Sequence, residues 1–306
     1  MIGTSYPYIE YLPKPGDCKC IQIDSNAQRI GLRTPVDVGL VGDSKKTIQL
    51  LLPKLKRNGY RRFLEKAQKG MRAWNELIEK EGTSTAVPMK PQVVGWELSK
   101  RTKENAIIVS DSGTNTTVWA RYMKAKEGQM HSCSGNLATM ACGLPYAIAA
   151  QLAFPDRQVI GVIGDGGFTM LMGEIITAVA YKLPIKLVII KNNTLGQIKW
   201  EQMVFQGNPE YQCDLFPIDF VALAKAVGAN GLRIDDPLTA GAKLDEALAM
   251  PGPVIIEAAV DQFTAMLPAK INADQAMKFS QALAKGQPNR LKIALTAASD
   301  TVRQLV

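Results

Sequence analysis

Gly164-Asp165-Gly166-Gly167-Phe168 and Asn192-Asn193-Thr194, with Asn192 standing 27 positions beyond Asp165, are the stretch that decides the fold of this 306-residue chain. Residues 158–163 (QVIGVI) form a short apolar run that reads as a buried parallel strand, and the glycines after it let the chain turn sharply into a helix. Residues 184–190 (PIKLVII) read as the next strand. Asn192 then falls at its carboxyl end, on the same sheet edge as Asp165. Backbone N–H groups at a glycine-rich turn and helix start favour an anion such as a diphosphate. Mg2+ takes near-octahedral oxygen donors, usually one or two protein carboxylates together with phosphate oxygens and water. Asp165 offers charge, Asn192 an amide oxygen, and a carbonyl just beyond it completes such a set. Taken singly, each motif is also an ordinary tight turn or loop; the spacing between them makes the pair specific.

Working outward, residues 218–227 read as a helix, 231–234 as a strand, 238–250 as a helix and 254–260 as a last strand. This alternation predicts a doubly wound α/β domain with a parallel sheet. With 46% hydrophobic residues the chain can bury a substantial core. Nearer the amino terminus, residues 20–24 and 36–41 read as two short strands and 44–55 as a helix capped by Asp43 and Ser44, with a connecting loop at 29–35.

These segments resemble the thiamin-diphosphate (ThDP) enzymes related to pyruvate oxidase, acetolactate synthase and benzoylformate decarboxylase, in which GDG followed by N marks the diphosphate-binding domain. Asp111-Ser112-Gly113-Thr114-Asn115 and residues 118–122 (VWARY) are similar to the first diphosphate-side loop and helix of pyruvate oxidases. Residues 136–140 (NLATM), with Ala138 and Met140, resemble the segment carrying a large apolar residue beneath the bent cofactor; Met140 is the matching position. The resemblance implies Mg2+ ligation by Asp165, Asn192 and the backbone carbonyl of Thr194. It implies diphosphate binding at Gly164, Gly166 and Gly167, with Leu195, Gly196, Gln197 and Ile198 following the cofactor. Glu201 matches an active-site glutamate on the next helix. Read without the resemblance, Met140 is more often a core side chain, and Glu201 is equally a solvated helix residue.

The resemblance also implies a domain layout. Residues 1–57 match the end of a middle domain, 58–90 a helical linker, 91–262 the ThDP diphosphate-binding domain and 263–306 a helical tail. In flavin-containing members the middle domain touches the adenine half of FAD, and Asp24, Ser25, Asp43 and Ser44 match those positions loosely. The family's pyrimidine-binding domain, which supplies the glutamate that promotes deprotonation of the thiazolium, has no counterpart here. The expectation is therefore the ThDP/Mg2+-binding portion of an oxidoreductase or transferase that decarboxylates a 2-oxo acid such as pyruvate. A partner chain with the pyrimidine domain would complete it in a homo- or hetero-oligomer. The alternative is a non-catalytic ThDP-binding fragment with an assembly or regulatory role. An unrelated nucleotide-phosphate binder is disfavoured by the lack of a Gly-x-Gly-x-x-Gly or Walker-type loop.

The net charge of +8 is matched by the surplus of residues 43–104, where 15 Lys/Arg face 7 Asp/Glu. Because residues 63–81 mix both signs without a nucleic-acid motif, this stretch reads as a solvated helical linker rather than a nucleic-acid surface. The 5 cysteines are irregularly spaced, and Cys18-Lys19-Cys20 lacks zinc-ligand spacing. Reduced thiols in a cytoplasmic protein are the expectation. His131, the only histidine, leaves little material for Ser/His or Cys/His catalysis and reads as a surface or loop residue. No secretory signal or membrane-spanning run is visible, and the apolar face of residues 291–306 is too small to predict membrane contact.

Overall fold

The computed structural model describes residues 1–4, 6, 9–135, 137–266 and 272–305. They divide into two units, Met1–Lys69 and Gly70–Val306. In the first, β1 (Ile21–Asp24) and β2 (Val38–Val41) pair in parallel, from Ile21 opposite Val38 to Asp24 opposite Val41. The buried Gln22 side chain donates to the Arg29 carbonyl and accepts from the Gly31 amide, which pins the intervening loop to β1. α1 (Ser44–Leu51) is capped by the Asp43 carboxylate, which accepts from the Lys46 amide. The helix predicted to reach residue 55 ends earlier, in a 3-10 turn over Leu52–Lys54, because Pro53 cannot donate the next helical hydrogen bond.

α2 (Arg62–Gly82) fills the predicted linker helix and is exposed along most of its length. Its last turns are not wholly solvated, however: Ile78 is buried in the core of the second unit and Trp74 packs against that core.

That second unit continues with α3 (Pro91–Arg101), β3 (Ile107–Ser110), α4 (Thr114–Tyr122), β4 (Met130–Ser132), α5 (Gly143–Ala153) and β5 (Val159–Gly164). α6 (Asp165–Met170), α7 (Ile175–Ala180), β6 (Lys186–Lys191), α8 (Gly196–Val204), α9 (Phe220–Ala226), β7 (Asn230–Ile234), α10 (Ala240–Ala249) and β8 (Val254–Ala259) follow. Among the described residues the strands form one six-stranded sheet in the order β4-β3-β5-β6-β8-β7, and every pairing is parallel.

Both faces of this sheet are covered, as an all-parallel sheet requires, and the side-chain period of two divides each central strand between them. On β6, Val188 and Ile190 join Leu98 of α3, Val118 of α4 and Leu244 of α10 on one face. Leu187 and Ile189 join Leu144 of α5, Phe168 of α6 and Phe220 of α9 on the other. The near-continuous apolar runs in the sequence reflect this two-sided burial. β8, last in the chain, inserts between β6 and β7, and Glu257 on it is fully buried. Its carboxylate accepts from Lys191 Nζ at 3.0 Å and from the Phe220 amide at 2.8 Å. Lys191 Nζ also donates to the Ile218 carbonyl. Three elements thus meet at the carboxyl tip of β6.

α11 (Ala273–Ala284) and α12 (Arg290–Leu305) complete the unit. They pack on α8 through a separate apolar cluster of Trp200, Met203, Val204, Phe263, Ala282 and Ile293. Buried beside it, Lys199 lies 2.8 Å from Glu210, and Gln287 bonds both the backbone amide and the carboxylate of Glu210. Among the described residues no helix is long and apolar enough to cross a membrane.

Removing one partner of a buried ion pair leaves an uncompensated charge and typically costs about 3–5 kcal/mol. Glu257→Ala is therefore expected to lower the free energy of urea unfolding by about that amount, by stranding Lys191. A loss below about 1 kcal/mol would contradict the role given to this pair.

Candidate cofactor and metal site

Chain order reverses direction at β3: β4 lies to one side of it and β5 to the other. The crevice beyond the carboxyl ends of strands at such a switch point is where open α/β sheets bind ligands. The register places Ser110 opposite Val162 and Gly164 opposite Ile190, so the loops leaving β3, β5 and β6 emerge at the same edge. A pocket of about 130 Å3 opens among them. Its walls are residues 112–115 after β3, 164–167 after β5, and Ile190, Asn192 and 194–198 around the end of β6, with Met140 reaching in.

Asp165 is only 6% exposed, and burial pushes its carboxyl up to about 6 against the opposing effect of two backbone amides. Those amides are Gly166 N–H, donating to Oδ1 at 3.0 Å, and Asn193 N–H, donating to Oδ2 at 2.7 Å. The second bond crosses from β5 to β6 and places Asn192 and Asp165 on one pocket. The Asn192 side-chain oxygen accepts from the Thr194 amide at 3.1 Å, and the Thr194 carbonyl accepts from the Gly196 amide at 2.8 Å. Asn193, at φ +54°, occupies the left-handed conformation that asparagine tolerates better than most residues. At Gly196 a Cβ would come within 2.6 Å of Thr114 Oγ1 and 3.0 Å of Asn192 Nδ2, so the start of α8 can approach the β3 loop only as glycine.

A segment without any motif of its own holds this loop. Leu195 N–H donates to the Cys213 carbonyl at 2.8 Å, Leu215 N–H to the Asn193 carbonyl at 2.9 Å, and Thr194 Oγ1 to the Cys213 carbonyl at 3.1 Å. Leu215 then lies beside Leu195 and Met140 over Gly166.

The residues assigned a role toward thiamin diphosphate or Mg2+ from sequence line this pocket, with the exception of Ala138 and Glu201. Ala138 is exposed and outside it. Glu201 is exposed on α8, one turn beyond Gln197, whose side-chain amide donates to it at 3.1 Å. Asn136 lies outside the described residues. Ser112, part of the loop already matched to the diphosphate side, and Ile190 line the pocket without having been given a cofactor contact. His131, expected at the surface or in a loop, sits instead in the short strand β4, half-buried, and accepts from the Trp119 indole at 3.1 Å. Burial lowers its pKa.

A buried carboxylate beside an amide oxygen and a backbone carbonyl is a donor set for a hard cation. No group of three or more His, Cys, Asp or Glu among the described residues forms a metal cage. Oxygen donors of this kind are those with which Mg2+ is held when phosphate oxygens complete the shell. Residues 111–258 match the family described as "Thiamine pyrophosphate enzyme, C-terminal TPP binding domain". Residues 111–258 are a C-terminal TPP-binding domain of the thiamine pyrophosphate enzymes.

Among these enzymes, the putative thiamine pyrophosphate-containing protein YdaP of Bacillus subtilis (strain 168) is 39% identical over 305 residues, covering 100% of this chain and 52% of that protein. A probable acetolactate synthase large subunit of Methanococcus aeolicus is 31% identical over 264 residues, covering 82% and 44%. The pyruvate oxidase of Lactiplantibacillus plantarum is 27% identical over 278 residues, covering 90% and 46%. The chain spans about half the length of these relatives.

Behind the pocket, burial raises the carboxyl of Asp111 to about 6. Its folded value lies above its ordinary one, 3.8. The stability linked to its proton is therefore full below about pH 4 and is lost as the pH rises through about 6. Unfolding free energies of the wild type and of Asp111→Asn, measured from pH 4 to 7, are expected to shift by roughly 3 kcal/mol against the wild type over that window. A difference independent of pH would contradict the shift.

Proposed function

We propose that this chain is the ThDP- and Mg2+-binding portion of an enzyme that decarboxylates a 2-oxo acid, with pyruvate the first candidate, of pyruvate oxidase or acetolactate synthase type. The observation that carries the reading is the gathering of Asp165, Asn192 and the Thr194 loop on one pocket at the switch point of the sheet. Asp165, Asn192 and the Thr194 carbonyl would hold Mg2+. Backbone amides of the turn at 164–167 and the polar groups of Gly113, Thr114 and Asn115 would receive the diphosphate. Met140, with Leu195 and Leu215, presents an apolar surface against which the cofactor would bend. Bound ThDP supplies the electron sink for loss of carbon dioxide. The protein's own share is to fix the diphosphate, exclude water along the apolar wall and keep Gln197 and Ile198 against the cofactor. Glu201 would act from the rim, in contact with Gln197.

The pyrimidine end would be completed by a partner chain in a cytoplasmic homo- or hetero-oligomer. In this arrangement residues 1–57 would be the end of a middle domain, 58–90 a linker, 91–262 the ThDP domain and 263–306 a helical tail. For FAD, Asp24 is the residue that fits: it is buried at the carboxyl end of β1, Oδ1 accepts from the Asn26 amide, and Oδ2 has no hydrogen-bond partner. Asp43 is already engaged as a helix cap. A second reading, a non-catalytic ThDP-binding fragment serving assembly or regulation, is favoured by one observation, the position of Glu201 outside the pocket lining.

Calorimetric titration of ThDP into the full chain with excess Mg2+ is expected to show binding. Asp165→Ala should weaken it at least 100-fold. Pyruvate consumption should require addition of a chain bearing the pyrimidine domain. Absence of ThDP binding would overturn the reading; turnover by the chain alone would overturn the partner requirement; binding without turnover in the complemented complex would favour the second reading.

A further inference from the structure

Asp111 lines no part of the pocket, yet it is fully buried directly behind it, at the tip of β3. Its carboxylate meets all three segments that build the diphosphate side. Oδ1 accepts from Asn115 Nδ2 at 2.6 Å, at the start of α4, and from the Gly164 amide at 3.4 Å, at the end of β5. Oδ2 accepts from the Ala141 amide at 3.0 Å. Ala141 has φ +72°, a left-handed conformation that is strained for a residue with a Cβ, and it directly follows Met140. Something must hold it there, and the Asp111 carboxylate is the group bonded to its amide. The approach of α6 is equally tight: a Cβ on Gly167 would fall 2.0 Å from Asp111 Oδ2. The last glycine of the GDGG turn is therefore needed for the carboxylate behind it as well as for any ligand in front.

Resting on the ThDP reading above, we propose that Asp111 is the positioning residue of the site: one buried carboxylate that locks the β3 loop, the Met140 turn and the GDGG turn into the geometry that receives the cofactor. It touches no reacting atom and acts through Asn115, Ala141 and Gly164. Among the described residues its charge is met by these N–H donors, so a neutral, shorter side chain would release three walls at once rather than one.

The test is a double-mutant cycle in the full chain: wild type, Asp111→Ala, Gly167→Ala and the double variant. Two quantities are read in each, ThDP affinity by calorimetry with Mg2+ in excess and hydrogen-exchange protection of the Ala141 and Gly164 amides. Asp111→Ala is expected to weaken ThDP at least tenfold and to lose protection at both amides while β8 stays protected. Gly167→Ala should do the same by displacing the carboxylate. In the double variant the methyl introduced at position 167 occupies space the carboxylate has left, so its loss should be no larger than that of Asp111→Ala alone. Additive losses in the double variant, or wild-type affinity and protection in Asp111→Ala, would overturn the proposal. If Asp111→Ala does not fold, unchanged affinity and protection in Gly167→Ala overturn it. If the wild type itself fails to bind ThDP, the cofactor reading falls, and the exchange data still decide whether Asp111 holds these segments.

Discussion

A carboxylate withdrawn from water costs several kcal/mol unless something compensates its charge, and the placement of Asp165 at the tip of β5 is the constraint on which the rest of this structure turns. Two backbone amides meet its oxygens, and Lys191 contributes a favourable field, yet its carboxyl is still raised to about 6. A cation opposite Asp165 would remove that residual cost. The free energy of binding and the stability of the folded unit are therefore linked at this residue.

The sheet makes the placement possible. Pairing of Gly164 with Ile190 sets where β5 and β6 end, and two apolar layers hold those strands from both faces. The Lys191–Glu257 pair fixes the tip of β6 from the side of β8, one residue before Asn192. α8, which begins at the pocket wall, is held along its other face by α11, α12 and the buried Lys199–Glu210 contact. Rigid elements on every side leave the loops at the strand tips few alternatives, and preorganisation of this kind lowers the ordering cost of binding.

Much of this was legible in the chain itself. The apolar runs at 158–163 and 184–190 announce buried strands because residues on both faces must be apolar. The aspartate and asparagine are visible because one strand–helix–strand unit sets the distance between them. Contacts between distant segments leave no such period. Nothing in residues 213–215 signals that they tether the 193–195 loop, and Asp111 reads as one acid in a polar turn until Ala141 and Gly167 are brought against it. The insertion of β8 between β6 and β7 is likewise a choice among topologies that alternation alone does not make. Where the Glu201 side chain lies on α8, on the helix surface against Gln197, is also not legible from the motif.

The most direct measurement is a crystal structure of the full chain grown with ThDP and Mn2+ in place of Mg2+, with the cation located by its anomalous signal. The account predicts one strong peak at coordination distance, about 2.0–2.2 Å, from a carboxylate oxygen of Asp165, the side-chain oxygen of Asn192 and the Thr194 carbonyl, with the diphosphate completing the shell. A cation bound elsewhere, or a diphosphate seated away from the tips of β5 and β6, would contradict it.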